Sequence, residues 1–207
     1  AADLFPLPRD VLVLYADGGS AAVGTFVYRN NALRGRTGGN VFHAAGTFNA
    51  GGGLSVELGV VETKNATPDV VAKGVRPVVS YVSGPLTIRA GGEFGKYNNG
   101  GTFEKLNGFG FTAGYNIGGV TLIGNYAHAK FNDIVPGVDV KQDTFGLIAN
   151  ADMGVAGGVI FSKSKIPNAE NFKITTFYAA YNMPFAGIAG ATISPAISYS
   201  KSGGSND

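Results

Sequence analysis

Short segments in which hydrophobic and polar residues alternate recur along the chain. The segment GLSVELGVVE at 53–62 is an example, because four large aliphatic residues occupy every second position. A period of two is that of a β-strand, whose successive side chains point to opposite faces. The pattern predicts twelve strands, at approximately 11–17, 20–29, 40–49, 53–63, 73–83, 85–96, 106–116, 119–131, 141–151, 154–164, 172–182 and 187–201.

The short turns between these strands repeat at a regular spacing. An aromatic residue precedes a cluster of turn-forming residues at five of them, namely Tyr15, Phe48, Tyr81, Tyr115 and Tyr181. The steps between these aromatics are 33, 33, 34 and 66 residues, so one hairpin is the repeating unit. Five lysines fall near the far ends of the returning strands: Lys64, Lys96, Lys130, Lys165 and Lys201. Aromatics at one height and lysines at another are typical of the two interfaces of a membrane.

Composition narrows the fold class. Only 14% of the 207 residues are charged and 33 are glycine, yet no apolar run approaches the ~18 residues that a transmembrane helix needs. A closed barrel is the other structure that can span a bilayer, since lipid cannot satisfy an open sheet edge. We therefore predict a single domain over 1–207, an all-β, antiparallel, up-and-down transmembrane β-barrel with about twelve strands. A soluble β-sandwich and a soluble β-repeat solenoid are the alternatives, because both also alternate.

Three stretches resemble the turn-and-strand units of Gram-negative general porins: GYNIGGVTL at 114–122, NYA at 125–127 and FYAAYN at 177–182. The resemblance implies a monomeric or homotrimeric diffusion channel in the bacterial outer membrane. Its expected partners are the lipid bilayer, lipopolysaccharide and small hydrophilic solutes. General porins are longer, with sixteen strands, and outer-membrane barrels usually finish on a terminal aromatic, whereas this chain ends KSGGSND. We therefore expect either a part of a 14–16-stranded barrel or an error in the first and last predicted strands.

A small group of charged and polar residues is predicted to line the pore: Glu57, Arg76, Arg89, Glu93 and Asn125. Pairing Tyr81 with Leu86 across the turn would place Arg89 opposite Val78, at a height similar to that of Glu57. Opposed charges on a pore wall set up a transverse field that selects solutes by charge and size. The alternative is that the Arg and Glu side chains pair only to neutralise one another.

Other chemistry has less support in the sequence. The scattered basic residues and a net charge of +2 argue against nucleic-acid binding, and the chain has no cysteine. Its two histidines, His43 and His128, fall on different predicted strands with no carboxylate motif beside them. We therefore expect no enzymatic activity, no cofactor and no metal. The predicted function is passive diffusion of small hydrophilic solutes, and the alternative is a structural or adhesive barrel with a plugged lumen.

Overall fold

A computed structural model describes residues 40–64, 70–99, 103–135, 138–165, 167–168 and 171–205 of the chain. The predicted strands 11–17 and 20–29, and with them Tyr15, lie outside these residues. The described part contains twelve strands: β1 (Asn40–Gly51), β2 (Leu54–Lys64), β3 (Val70–Ser83), β4 (Leu86–Asn99), β5 (Phe103–Ile117), β6 (Val120–Val135), β7 (Val138–Ala151), β8 (Val155–Lys165), β9 (Asn171–Tyr181), β10 (Met183–Pro184), β11 (Thr192–Ile193) and β12 (Ala196–Ser205).

Ten of these strands form one antiparallel sheet in the order β1-β2-β3-β4-β5-β6-β7-β8-β9-β12. Each strand pairs with its neighbour in the chain, and the short strands β10 and β11 form a separate pair between β9 and β12. No helix in the described part of the chain is long and apolar enough to cross a membrane. The prediction of an all-β, antiparallel, up-and-down architecture is confirmed.

The last predicted strand, 187–201, is wrong over its first half. The chain instead turns at Ala186, Gly187 and Gly190, which all have positive φ angles, and enters β12 only at Ala196. Pro184 and Pro195 flank this excursion and have no amide hydrogen to donate to a sheet. The carbonyl of Pro195 accepts a hydrogen bond from the Tyr181 amide at 3.0 Å, which returns the chain to β9.

The predicted register of the β3–β4 hairpin is also wrong, by two residues. Ser83 pairs with Leu86 around a two-residue turn, so Tyr81 lies opposite Ile88 and Arg89 lies opposite Ser80 rather than Val78. Gly84 takes a φ of 55°, which permits the tighter turn. Because the shift is an even number of residues, every side chain keeps the face that the sequence predicted.

The two faces of the sheet differ in composition and in burial. One face, here called the polar face, carries mainly small and polar residues, and the other, the apolar face, carries large hydrophobic ones. On β5, Phe111 on the apolar face is 45% exposed, whereas its neighbour Thr112 on the polar face is 8% exposed. A soluble sandwich would bury the large side chains, at a gain of about 1.5–3 kcal/mol each, and expose the small ones. The observed pattern, with large hydrophobic side chains exposed and small polar ones buried, suits an apolar face covered by lipid.

The β1–β2 turn gives a test of the fold. Gly52 and Gly53 have φ angles of 58° and 83°, and the Gly53 carbonyl accepts a hydrogen bond from the Val82 amide at 2.9 Å. A Cβ at Gly53 would overlap the Val82 carbonyl oxygen, whereas a Cβ at Gly52 would meet nothing within 4 Å. We expect Gly53→Ala to lower the free energy of unfolding by about 2–3 kcal/mol and Gly52→Ala by about 1–2 kcal/mol.

Urea unfolding of the two variants in lipid vesicles, followed by circular dichroism, measures the difference. Equal losses at the two positions would contradict the close approach of Gly53 to β3.

Candidate pore wall

A row of directly paired residues crosses the polar face from one end of the sheet to the other. It contains one residue from each of the ten strands: Asn49, Ser55, Ser80, Arg89, Thr112, Asn125, Gly146, Ile160, Thr176 and Ser200. We call it the Arg89 row. Eight of its ten members carry a polar side chain, and Gly146 and Ile160 interrupt this band of hydrogen-bonding groups on β7 and β8.

Arg89 is the only charged member of this row. Its side chain is exposed and lies between Ser80 and Thr112 on the two adjacent strands. Within the described residues it forms no ion pair and no hydrogen bond. A guanidinium in this position presents its five donors to the space beside the polar face.

Glu57 lies in the next row, beside Thr47 on β1 and Val78 on β3. The Thr47 hydroxyl donates a long hydrogen bond of 3.4 Å to Glu57 Oε2. The predicted position of Arg89 opposite Val78, in the same row as Glu57, is wrong, because Glu57 and Arg89 are two strands and two residues apart, or about 12 Å between Cα atoms. The buried side chain of Val78 stands in the Glu57 row, between Glu57 and Gly91.

The other two predicted charges are placed through their backbones. Arg76 pairs with Gly59 on β2, and Glu93 pairs with Gly108 on β5. Both positions belong to the polar face by register, one row further from the tight turns than Glu57. The side chains of Arg76 and Glu93 lie outside the described part of the structure.

Asn125, the fifth predicted residue, is 3% exposed. Neither its amide oxygen nor its amide nitrogen has a hydrogen-bond partner among the described residues. The amide lies over Gly146 on β7, where a Cβ would come within 2.5 Å of Asn125 Oδ1. Glycine at 146 therefore leaves room for the amide in this position, and any larger residue would require the Asn125 side chain to move.

Hydroxyl groups tie neighbouring strands together on the same face. Thr144 and Ser162 join β7 to β8 at 3.1 Å, and Thr176 and Ser200 join β9 to β12 at 2.9 Å. Near the tight turns, Asn116 Nδ2 donates to Thr121 Oγ1 at 2.9 Å. These contacts are local cross-strand pairs, which hold small polar side chains close to the sheet.

One part of the polar face is apolar, a feature that the sequence analysis missed. Ile148, Ile160 and Tyr178 form a buried cluster on β7, β8 and β9, and Ile123 on β6 packs against it. The Tyr178 ring lies over Gly158, where a Cβ would come within 2.9 Å of the tyrosine hydroxyl oxygen. The sequence contained one indication of this apolar patch. Ile123 falls between the apolar-face residues of β6, so alternation places it on the polar face.

The predicted interface aromatics have the expected positions where they are described. Phe48, Tyr81, Tyr115 and Tyr181 all lie on the apolar face close to the tight turns, and all four are exposed. Their contact with a membrane interface remains a prediction. Four of the five predicted lysines have described side chains, and these lie towards the opposite edge of the sheet. The sequence analysis missed five more, four on the outgoing strands and Lys163 on β8: Lys73, Lys105, Lys141, Lys163 and Lys173.

A second polar cluster lies on the apolar face. Asp143 Oδ1 accepts a hydrogen bond from the Tyr126 hydroxyl at 2.7 Å and lies 2.7 Å from His128 Nδ1. The His128 ring also packs against Phe109, with ring centroids 5.3 Å apart. Within the described residues no group of three or more His, Cys, Asp or Glu side chains could hold a metal ion.

Asn125 gives a test of the polar wall. A buried amide without partners costs about 1–3 kcal/mol, so Asn125→Leu, which has a similar shape, is expected to raise the free energy of unfolding by about 1 kcal/mol. Thr144→Val serves as the control, because it breaks the Thr144–Ser162 hydrogen bond and is expected to lower the free energy of unfolding. Urea unfolding in lipid vesicles measures both, and a loss of stability in Asn125→Leu would contradict the unsatisfied amide.

Comparison with known proteins identifies the fold. The sequence matches no protein-family model and no curated protein. Among solved structures it is similar to OmpTdeltaL8, the loop L8 deletion mutant of OmpT, an outer membrane protein of Vibrio cholerae. The two share 13% sequence identity with a TM-score of 0.64, over 78% of this chain and 57% of that chain. The chain thus spans somewhat more than half the length of the protein that it matches.

The expectation that the chain is not an enzyme is wrong. It depended on the two histidines having no carboxylate beside them, whereas His128 directly contacts Asp143. The likeness to OmpT gives no ground for denying enzymatic activity either, because it concerns the fold of an outer membrane protein.

The structural match and the exposed apolar face agree with each other. The antiparallel up-and-down sheet is that of an outer-membrane β-barrel, and its large hydrophobic side chains point to the side that lipid covers in such barrels. The chain therefore has the fold of an integral β-barrel protein of the bacterial outer membrane.

Proposed function

We propose that the chain forms a channel for passive diffusion of small hydrophilic solutes through the outer membrane. The observation that carries the proposal is Arg89, an exposed guanidinium on the polar face that has no ion pair or hydrogen bond within the described residues. A charge kept only to neutralise another charge would be paired with it. An unpaired charge among small polar residues suits a wet pore in which it acts on solutes.

The composition of the wall supports the same proposal. From β2 to β5 the polar face presents mainly Gly, Ser and Thr beside its charged residues, and such small side chains leave space in a barrel interior. The OmpT structure belongs to an outer membrane protein, and we carry over only its fold.

The alternative is a structural or adhesive barrel whose lumen is filled by side chains. One observation favours it, namely the buried cluster of Ile148, Ile160 and Tyr178, which thickens the wall over β7–β9. The cluster is confined to three strands of the ten-stranded sheet and includes Ile160 of the Arg89 row, whereas every member of that row on β1 to β6 is polar. We therefore favour the channel.

Single-channel recording of the purified chain in planar bilayers separates the two functions. We expect stepwise, ohmic conductance in neutral salt. A protein that inserts, as judged by protease protection, and yet stays silent would favour the filled barrel.

Arg89→Ala tests the role of the charge. At about 8 Å the Coulomb energy of two unit charges in water is about 0.5 kcal/mol, which disfavours a cation and favours an anion by about twofold each and so changes their ratio about sixfold. We expect Arg89→Ala to raise the cation-to-anion permeability ratio by about this factor, as read from the reversal potential in a salt gradient.

Lys141→Ala is the matched control, because it removes the same charge from an exposed side chain on the apolar face. Its reversal potential is expected to equal that of the unchanged chain. An unchanged ratio in Arg89→Ala, or equal shifts in the two variants, would remove Arg89 from the selectivity filter.

A further inference from the structure

All ten lysines of the chain occupy positions on the apolar face. By register, they form a band towards the edge of the sheet opposite the tight turns. The arginines of the sheet, Arg76 and Arg89, hold polar-face positions instead. The lysine band therefore does not contact solutes on the polar face, and its binding partner must lie on the lipid side of the sheet.

Several of these lysines lie directly opposite one another. Lys73 pairs with Lys96, and Lys96 pairs with Lys105, so three ammonium groups stand in one row on β3, β4 and β5. Directly opposed residues have Cβ atoms about 4.5–5.5 Å apart, and like charges at that distance destabilise a sheet. Such a row is stable when an anion lies over it.

A groove of about 550 Å³ lies against this row. Lys73, Lys96 and Lys105 contribute to its wall, together with the apolar side chains of Phe42, Val60, Val75 and Phe94. Glu62 also reaches the groove and lies opposite Lys73. Three cations and one carboxylate leave the groove with a net charge of +2, and its remaining surface is mostly hydrocarbon.

The height of the row corresponds to a membrane interface. Tyr81 and Lys73 are eight residues apart on β3, and Tyr115 and Lys105 are ten apart on β5. At about 3.4 Å per residue and a tilt of about 40°, these spacings correspond to about 21–26 Å along the membrane normal. The apolar band of an outer-membrane barrel is about 25 Å tall. The lysines thus lie at the headgroup level of one leaflet.

We infer that this groove binds a phosphate-bearing lipid of the leaflet at the edge of the sheet opposite the tight turns. The lipid phosphates contact Lys73, Lys96 and Lys105, and an acyl chain lies along Val75 and Phe94. Charge-assisted hydrogen bonds from lysine to phosphate neutralise the repulsion within the row. The inference rests on the barrel fold and the register, and holds whether or not the pore conducts.

Native mass spectrometry of the full chain in neutral detergent tests the site. The probes are lipid A with both phosphates, the same lipid without its phosphates, and inorganic phosphate. The test variant is Lys73→Gln, Lys96→Gln and Lys105→Gln together. Its matched control is Lys141→Gln, Lys165→Gln and Lys201→Gln, which removes three charges from the same band outside the groove.

We expect the phosphorylated lipid to bind the unchanged chain and the control with similar affinity, and the test variant at least about tenfold more weakly. The dephosphorylated lipid and inorganic phosphate are each expected to bind weakly, because the first lacks the phosphate and the second lacks the acyl chains. Equal losses in the two triple variants would indicate diffuse attraction and overturn the site. Equal binding of lipid with and without phosphate would also overturn it.

Lys96→Gln alone gives a second readout that is independent of misfolding. Lys96 opposes lysine on both sides, so in lipid-free micelles this variant is expected to unfold at the same temperature as the unchanged chain or higher. Added phosphorylated lipid should then raise the unfolding temperature less in the variant than in the unchanged chain. An equal rise in both would contradict a phosphate contact at Lys96.

Discussion

The rest of this structure depends on the need to satisfy every backbone amide and carbonyl where no water is present. Each long strand meets this need by pairing with its neighbours in the sheet, and four of the hairpins close through described turns of two or three residues. The turns fix the register, and the register decides which side chains meet lipid and which meet the polar interior. A slip of one residue in any hairpin would exchange the two faces of a strand. Backbone pairing between strands therefore determines the fold of this protein more than its composition or charge does.

Much of the fold follows from local features that a sequence contains. Alternation of period two and turn clusters of Gly, Asn and Asp predicted β1 to β9 to within a few residues. The β3–β4 register failed because the sequence did not show that the turn at Gly84 holds only two residues. The first half of the last predicted strand failed because the positive φ angles of Gly187 and Gly190 turn the chain, which leaves only the two-residue strand β11 before Pro195.

For the candidate site, the sequence predicts which face of the sheet a residue occupies but not which residues lie beside it on the adjacent strands. Glu57, Arg89 and Asn125 occupy the predicted face because alternation alone determines it. Their neighbours depend on pairing between strands, which a single strand does not encode. Three such contacts between strands could not be predicted. Asn125 lies over Gly146, Tyr178 lies over Gly158, and Lys96 is opposite two other lysines. The contact between His128 and Asp143, on adjacent strands but fifteen residues apart, was missed for the same reason.

The uneven polar face has a consequence for water. The arc from β2 to β5 presents hydroxyl groups, glycine backbone and charges, and it is wettable, whereas the patch around Ile148, Ile160 and Tyr178 repels water. In the proposed channel an ion keeps its hydration shell only over the wetted arc. Its path then lies beside Arg89 rather than along the axis, and the width open to a hydrated ion is smaller than the width that the backbone encloses.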